Sequence, residues 1–366
     1  MKIKDIKVQV IKRDLPEGGL SHGSTCFRKE HEEIPIFRVF TDEGIEGDSC
    51  GRSGMLLANY LASLKPLLIG EDPLYVERIW QKLWQMDRVT HPPSPALGVV
   101  DVAIWDIVGK AANLPIYQLL GGYRDKVKAY ASSAQYYPDV EAYVKQALEC
   151  KARGFTAYKL HVTGVPSEDL AVCRAVREAV GNDMILMHDA VGLYDREQAL
   201  MVGRELEKLN FYWFEEPVSD FDIQGLIDLR NALDIAIPTL EYLPGHLYTR
   251  AQYIARGAVD IVRADVCNHG GISPLKKIAS LAEAFGIKCE IHVCPNPWMN
   301  AANLHVTCSI KNCEYYEWFV PDNLLFFGVK EEIKLDNKGY VYVPSGPGLG
   351  VETDWGYIDD HTIKVL

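Results

Sequence analysis

The sequence predicts an α/β protein, an eight-stranded parallel barrel carrying a small α+β unit. Three observations point to it. From about residue 126, short apolar runs alternate with longer amphipathic ones, the pattern of βαβ units. Eight short runs occur with seven helical stretches between them, which suits a closed barrel. The last seven short runs each end in an ionisable residue, recurring every 24–28 positions, about the length of one βα unit. An open doubly wound sheet is the alternative. No Gly-x-Gly-x-x-Gly follows an early strand, so a dinucleotide site has no support.

The elements follow in order. Residues 3–12 alternate as a strand should, and residues 34–40 and 45–50 flank Thr41-Asp-Glu-Gly44, a hairpin turn signal. Helical periodicity runs over 56–68, 73–86 and 96–112, and Gly121-Gly122 closes the region. The barrel strands are expected at Val127–Ala131, Ala157–His161, Met184–Asp189, Phe211–Glu215, Ile237–Glu241, Ile261–Asp265, Lys288–His292 and Tyr315–Glu317. After residue 325 the pattern returns to β and turn, a tail expected to fold back on the N-terminal unit. The expected divisions are 1–125, 126–325 and 326–366.

Composition narrows the function. The 366 residues carry a net charge of −12, which argues against a bulk nucleic-acid binder. The start, Met1-Lys-Ile-Lys-Asp-Ile-Lys7, lacks the apolar centre of a signal peptide, and no run reaches the roughly 20 apolar residues of a membrane helix. The nine cysteines are scattered without a Cys-x-x-Cys pair. Reduced thiols in a cytoplasmic protein are the expectation.

The strand ends carry the chemistry: Lys159 and His161, Asp189, Glu215, Glu241, Asp265, His292 and Glu317. In a barrel that position is the C-terminal mouth, where active sites sit. One such carboxylate alone is most often a helix cap, but a register of seven is not explained that way. Asp189, Glu215 and Glu241 end three consecutive strands. Burying them together is costly unless a cation neutralises them. Hard oxygen donors suit Mg²⁺, and Mn²⁺ would also fit. Glu216 is expected on the opposite face in a structural ion pair, and His188 in packing. Lys159 and His161 are two apart and share the interior face. Asp265 beside His292 would orient the imidazole and raise its basicity. Bases on two sides of a metal fit removal of a proton next to a carboxylate, through an enediolate.

These residues, in this order, resemble the enolase superfamily and its mandelate racemase branch, over essentially the whole chain. Val100-Asp-Val-Ala-Ile-Trp-Asp-Ile-Val-Gly-Lys110 followed by Leu114-Pro-Ile-Tyr-Gln-Leu-Leu-Gly-Gly122 looks like the end of that family's capping domain. Trp213-Phe-Glu-Glu-Pro217 looks like its fourth-strand metal motif, and Asp265 and His292 like its dyad. Glu317 matches a glutamate that hydrogen-bonds the substrate carboxylate. The resemblance implies a (β/α)7β modified TIM barrel, an α+β cap completed by the C-terminal tail, Mg²⁺ and a homo-oligomer. The muconate-lactonising and dipeptide-epimerase branch places a lysine on the sixth strand, and Arg263-Ala-Asp-Val-Cys-Asn-His-Gly-Gly271 has none. Lys159-Leu-His161 departs from the branch's Lys-x-Lys, and Val191 stands where the family often has asparagine. Either Lys159 or His161 is then the second base, the other binding substrate.

The resemblance places specificity in cap loops around Leu15–Phe27 and Cys50–Gly54. Their glycines suit a mobile lid. Ser21, His22, Ser24, Thr25 and Arg52 make it polar, with His91 as a further candidate substrate contact. A polar lid suits a polyhydroxylated acid. The leading expectation is dehydration of a sugar acid to a 2-keto-3-deoxy acid. Racemisation, epimerisation or cycloisomerisation of a related acid is the alternative. A catalytically silent barrel is disfavoured by the intact triad and dyad.

Overall fold

Two sheets organise the chain. The computed structural model describes residues 1–15, 31–91, 93–134, 137 and 139–366, and the side chains of all of these but Asp87, Arg88 and Asn323. In the first sheet β1 (Ile3–Asp14), β2 (His31–Thr41) and β3 (Glu46–Cys50) form an antiparallel meander. The β2–β3 turn is local chemistry. Thr41 Oγ1 accepts the Ile45 N–H, and Gly44 takes φ 80° between them. Helices α1 (Gly54–Leu68), α2 (Val76–Trp84), the short α3 (Asp87–Thr90), α4 (Ser94–Ala112) and α5 (Ile116–Leu119) follow. Helix α4 is apolar around most of its circumference because it packs on β2 and β3 and on the helix Ile272–Ala284.

The second sheet is a barrel of parallel strands: β4 (Lys126–Ser133), β5 (Ala157–His161), β6 (Ile185–Asp189), β7 (Trp213–Glu215), β8 (Pro238–Thr239), β9 (Ile261–Ala264), β10 (Lys288–Ile291) and β11 (Tyr315–Val320). Their order is β7-β6-β5-β4-β11-β10-β9-β8, and a parallel bridge from Trp213 to Ala236 closes the ring. Seven helices alternate with these strands among the described residues: α6 (Val140–Ala152), α7 (Pro166–Val180), α8 (Arg196–Lys208), α9 (Ile223–Ala232), α10 (His246–Ala255), α11 (Ile272–Ala284) and α12 (Pro297–Ser309). Several announce their starts in sequence. Asp139, Asp222 and Asn296 each accept a backbone N–H three residues on, and Asp195 with Gln198 forms a capping box. The tail serves both sheets. Strand β12 (Tyr340–Tyr342) pairs antiparallel with β4 on the barrel, and after α13 (Trp355–His361), β13 (Thr362–Val365) pairs antiparallel with β1.

Three expected strands stop short of their functional residues. The ladder ends at Thr239, Ala264 and Ile291, so Glu241, Asp265 and His292 stand just beyond it. The chain turns there. Leu240 takes φ 85°, the Glu241 N–H donates to Glu216, and the Asp265 N–H donates to His269.

The barrel interior is layered by the two-residue period of its strands. Tyr130, Ala157, Met187, Trp213 and Ile261 form an apolar floor. Two residues further along, Lys159 and Arg263 lie above it, within 5.7 Å of the Tyr130 ring centroid and 6.0 Å of the Trp213 ring centroid respectively. Two residues beyond these come His161 and Asp265.

His305 on α12 joins the tail to the first unit. Its Nδ1 accepts the Tyr117 N–H at 3.1 Å, and its Nε2 faces the Leu349 carbonyl at 3.0 Å. Burial holds its pKa down to about 4. An unfolded chain protonates this imidazole near 6.5 while the folded chain keeps it neutral. Stability should therefore fall as pH drops from about 6.5 towards 4, by ~3 kcal/mol from this group. His305→Gln should be less stable at pH 7 yet show a shallower decline, read as urea midpoints across that range. An unchanged slope would remove His305 from the account.

Candidate active site

The mouth of the barrel gathers all eight strand-end side chains, and it holds them by ion pairing. Lys159 Nζ lies 2.9 Å from Asp189 Oδ2, 3.0 Å from Glu215 Oε2 and 2.9 Å from Glu317 Oε1. Arg263 makes a parallel set: Nε is 2.5 Å from Glu215 Oε1, and Nη2 is 3.4 Å from Glu241 Oε2 and 2.7 Å from Glu317 Oε2. Both cations are fully buried. His161 Nε2 is 3.1 Å from Asp189 Oδ2. Across the ring, His292 Nε2 is 3.1 Å from Glu241 Oε1 and its Nδ1 is 3.1 Å from Asp265 Oδ2.

Asp265 is itself fixed by Asn268, whose backbone N–H donates to Oδ1 at 2.6 Å and whose side chain donates to Oδ2 at 2.8 Å. Burial disfavours charge on His292, but Glu241, Asp265 and Glu317 prevail and hold its pKa above 6.5. The expected orientation and rise in basicity are both present. Burial likewise opposes ionisation of Glu317, yet Lys159, Arg263 and His292 hold it well below the usual carboxylate range. Its four lone-pair positions are taken by Ser132 Oγ, Lys159, Arg263 and the Val293 N–H.

Asp189, Glu215 and Glu241 do not close on one point: among the described residues, the group of three metal-capable atoms within 4.8 Å of one another lies elsewhere. Lys159 and Arg263 sit between them. The donor set nonetheless fits a hard dication. Asp189, Glu215, Glu216, Glu241, Asp265 and Glu317 are buried around two permanent cations, a surplus of carboxyl groups. Burial pushes Glu215 up to about 8; Arg263 and Lys159 pull it down, and Asp189 and Glu241 push it further up. Glu215 Oε1 has no aligned hydrogen-bond donor despite the nearby Arg263. Carboxylate oxygens in surplus are what Mg²⁺ binds.

Two sequence expectations change or hold. Glu216 makes no ion pair among the described residues. Burial raises its pKa well above 4.5, with acidic Asp220, Glu241 and Asp189 around it, and its Oε1 accepts the Glu241 N–H at 3.1 Å. Glu216 therefore positions a mouth residue. His188 packs between Tyr194 and Phe214 as expected, and burial lowers its pKa to about 3.

Of the cap candidates, His22 and the loop residues Ser21, Ser24 and Thr25 lie outside the described residues. Arg52 reaches the mouth, where Nη2 donates to Asn268 Oδ1 at 3.1 Å. His91 is exposed in the left-handed region at φ 45°, after α3. One flank of the mouth is apolar. Ala134, Val293, Phe319, Leu324 and Leu325 cluster there, with the Phe319 ring 6.4 Å from that of His161.

The residue missed in sequence is Arg263. Its signal was present: it precedes Asp265 by two and so shares its inward face. Arg263→Leu should destabilise the fold by about 3–5 kcal/mol, because Glu215, Glu241 and Glu317 lose a shared buried partner. Urea unfolding tests this, and a loss under about 1 kcal/mol would contradict the assigned role.

Known proteins resemble this chain along its length. Residues 142–357 match the family model for the enolase C-terminal domain-like fold, and residues 24–121 match that for the mandelate racemase/muconate lactonizing enzyme N-terminal domain. Arabinonate dehydratase of Saccharolobus solfataricus is 35% identical over 91% of this chain and 91% of its own. D-galactarolactone cycloisomerase of Agrobacterium fabrum is 30% identical over 96% of each. The crystal structure of D-glucarate dehydratase from Agrobacterium tumefaciens, complexed with magnesium, superposes with a TM-score of 0.89 at 35% identity, covering 100% of both chains. With both family models and the relatives matched along its length, this chain belongs to the mandelate racemase branch of the enolase superfamily.

Proposed function

We propose that this protein removes the proton next to the carboxylate of a sugar acid and expels the β-hydroxyl as water, giving a 2-keto-3-deoxy acid. The observation that carries this reading is the fixed imidazole of His292. Asp265 holds its Nδ1, leaving Nε2 at the mouth for proton transfer. In that role His292 gives its proton to the departing hydroxyl.

His161 takes the part of the base on the opposite flank. Lys159 does not suit it, because its three N–H donors are committed to Asp189, Glu215 and Glu317. Glu317 is read as the anchor of Lys159 and Arg263, having no lone pair left over for substrate. Asp189, Glu215 and Glu241 would hold Mg²⁺, with Mn²⁺ as a possible substitute. When bound, that dication supplies positive charge for the substrate carboxylate as the α-proton leaves. Arg52 contributes a cationic donor at the rim, and the Phe319 flank keeps water from one side of His161.

A sugar-acid library with Mg²⁺, read by a 2-keto-acid assay, tests the reading. No product across a broad panel would sink dehydration. Racemisation or cycloisomerisation is the second reading, favoured by the imidazoles on both flanks. Exchange of the α-proton with solvent deuterium, without water loss, would establish it instead.

A further inference from the structure

The barrel creates a grouping that sequence order hides. Strands β9 and β10 are parallel neighbours, so the turns leaving them lie side by side. They bring Cys267 and Cys294 together beside Asp265. One ligand atom from each of the three lies within 4.8 Å of the other two, and all three residues are buried. Cys294 Sγ is 3.6 Å from Asp265 Oδ1. Asn303 ties the two turns together. Its side-chain amide lies 3.2 Å from Cys294 Sγ and donates to the His292 carbonyl, and its oxygen accepts the Val266 N–H. Asp265 thus presents Oδ2 to His292 and Oδ1 to the Cys294 thiol.

We infer that Asp265, Cys267 and Cys294 form a second cation site, selective for a soft dication such as Zn²⁺ over Mg²⁺. Metal–sulfur bonds of ~2.3 Å put the ligand atoms of a tetrahedral site roughly 3.8 Å apart, which small side-chain rotations from the present separation reach. Thiolates select soft cations, whereas the carboxylates of the mouth select hard ones. Binding forms two metal–sulfur bonds and releases the two thiol protons to solvent. The charges then balance. Two thiolates and Asp265 are offset by the dication and by Arg52, which lies close enough to act electrostatically on all three. Because Asp265 also holds His292, an occupied site would draw on the dyad and inhibit turnover. That consequence rests on the function proposed above; the binding does not.

The test is titration of the Mg²⁺-loaded protein with Cd²⁺, read by thiolate-to-cadmium charge-transfer absorbance, with Zn²⁺ as competitor. Saturation at one equivalent is expected, unaffected by excess Mg²⁺ and reversed by Zn²⁺. Cys267→Ser and Cys294→Ser should each lose most of the band and bind Cd²⁺ at least ~10-fold more weakly, whereas Cys308→Ser should match the parent. Should the first two variants fail to fold, cadmium-113 NMR of the unaltered protein decides. A shift typical of a two-sulfur site supports the inference, and one typical of oxygen ligands alone overturns it. Equal bands in all variants, or no Cd²⁺ binding, would also overturn it.

Discussion

Replacing His292 with asparagine should lower kcat for dehydration by about 10²–10⁴-fold, the usual contribution of a positioned acid or base. The fold should survive. Asparagine can still donate to Asp265, and Asn268 holds that carboxylate independently through two hydrogen bonds. What disappears is the ring nitrogen 3.1 Å from Glu241. The loss should fall on kcat more than on KM, because the proton transfer belongs to the transition state. The measurement separates two steps. If His161 is the base, His292→Asn should still exchange the α-proton with solvent while forming no 2-keto acid. His161→Asn should lose both. The opposite pattern would exchange the two assignments, and full activity in His292→Asn would remove the dyad from the mechanism.

Glu215→Gln should abolish the stabilisation that Mg²⁺ gives the protein, and turnover with it. A ligand at 100 times its Kd raises stability by ~2.7 kcal/mol, so the parent's thermal midpoint should climb with added Mg²⁺ while the variant's stays flat. The sign without metal is equally informative. Glu215 is the carboxylate that burial and its acidic neighbours push up to about 8, so its charge is costly in the fold and glutamine avoids that cost. Lys159 keeps Asp189 and Glu317, and Arg263 keeps Glu241 and Glu317. The metal-free variant should therefore be at least as stable as the parent. A midpoint that rises with Mg²⁺ as much as the parent's would show that Glu215 is not a ligand.

The mouth was legible because its signals are local. Alternation puts residues two apart on one face, and a strand that ends in an ionisable residue delivers it to the rim. That logic places Asp189, Glu215, Glu241, Asp265, His292 and Glu317 together. The same logic admits Arg263, two residues before Asp265 on the same inward face. Glu216 departs from it. It takes φ 41°, so the strand no longer alternates at that residue, and its side chain turns to the Glu241 N–H instead of a cation.

By itself, then, the sequence determined the order of strands and helices, several helix starts and the identity of the rim. Each is settled within a few residues by periodicity, capping or turn chemistry. Only the tertiary structure decided which groups meet across the ring. Closure sets Ser132 of β4 against Glu317 of β11, seats Lys159 and Arg263 among carboxylates from four other strand ends, and joins Cys267 to Cys294. These partnerships depend on which strands are neighbours and on their register. Hydrogen bonding and packing of the whole barrel fix both, and no local run of residues encodes either.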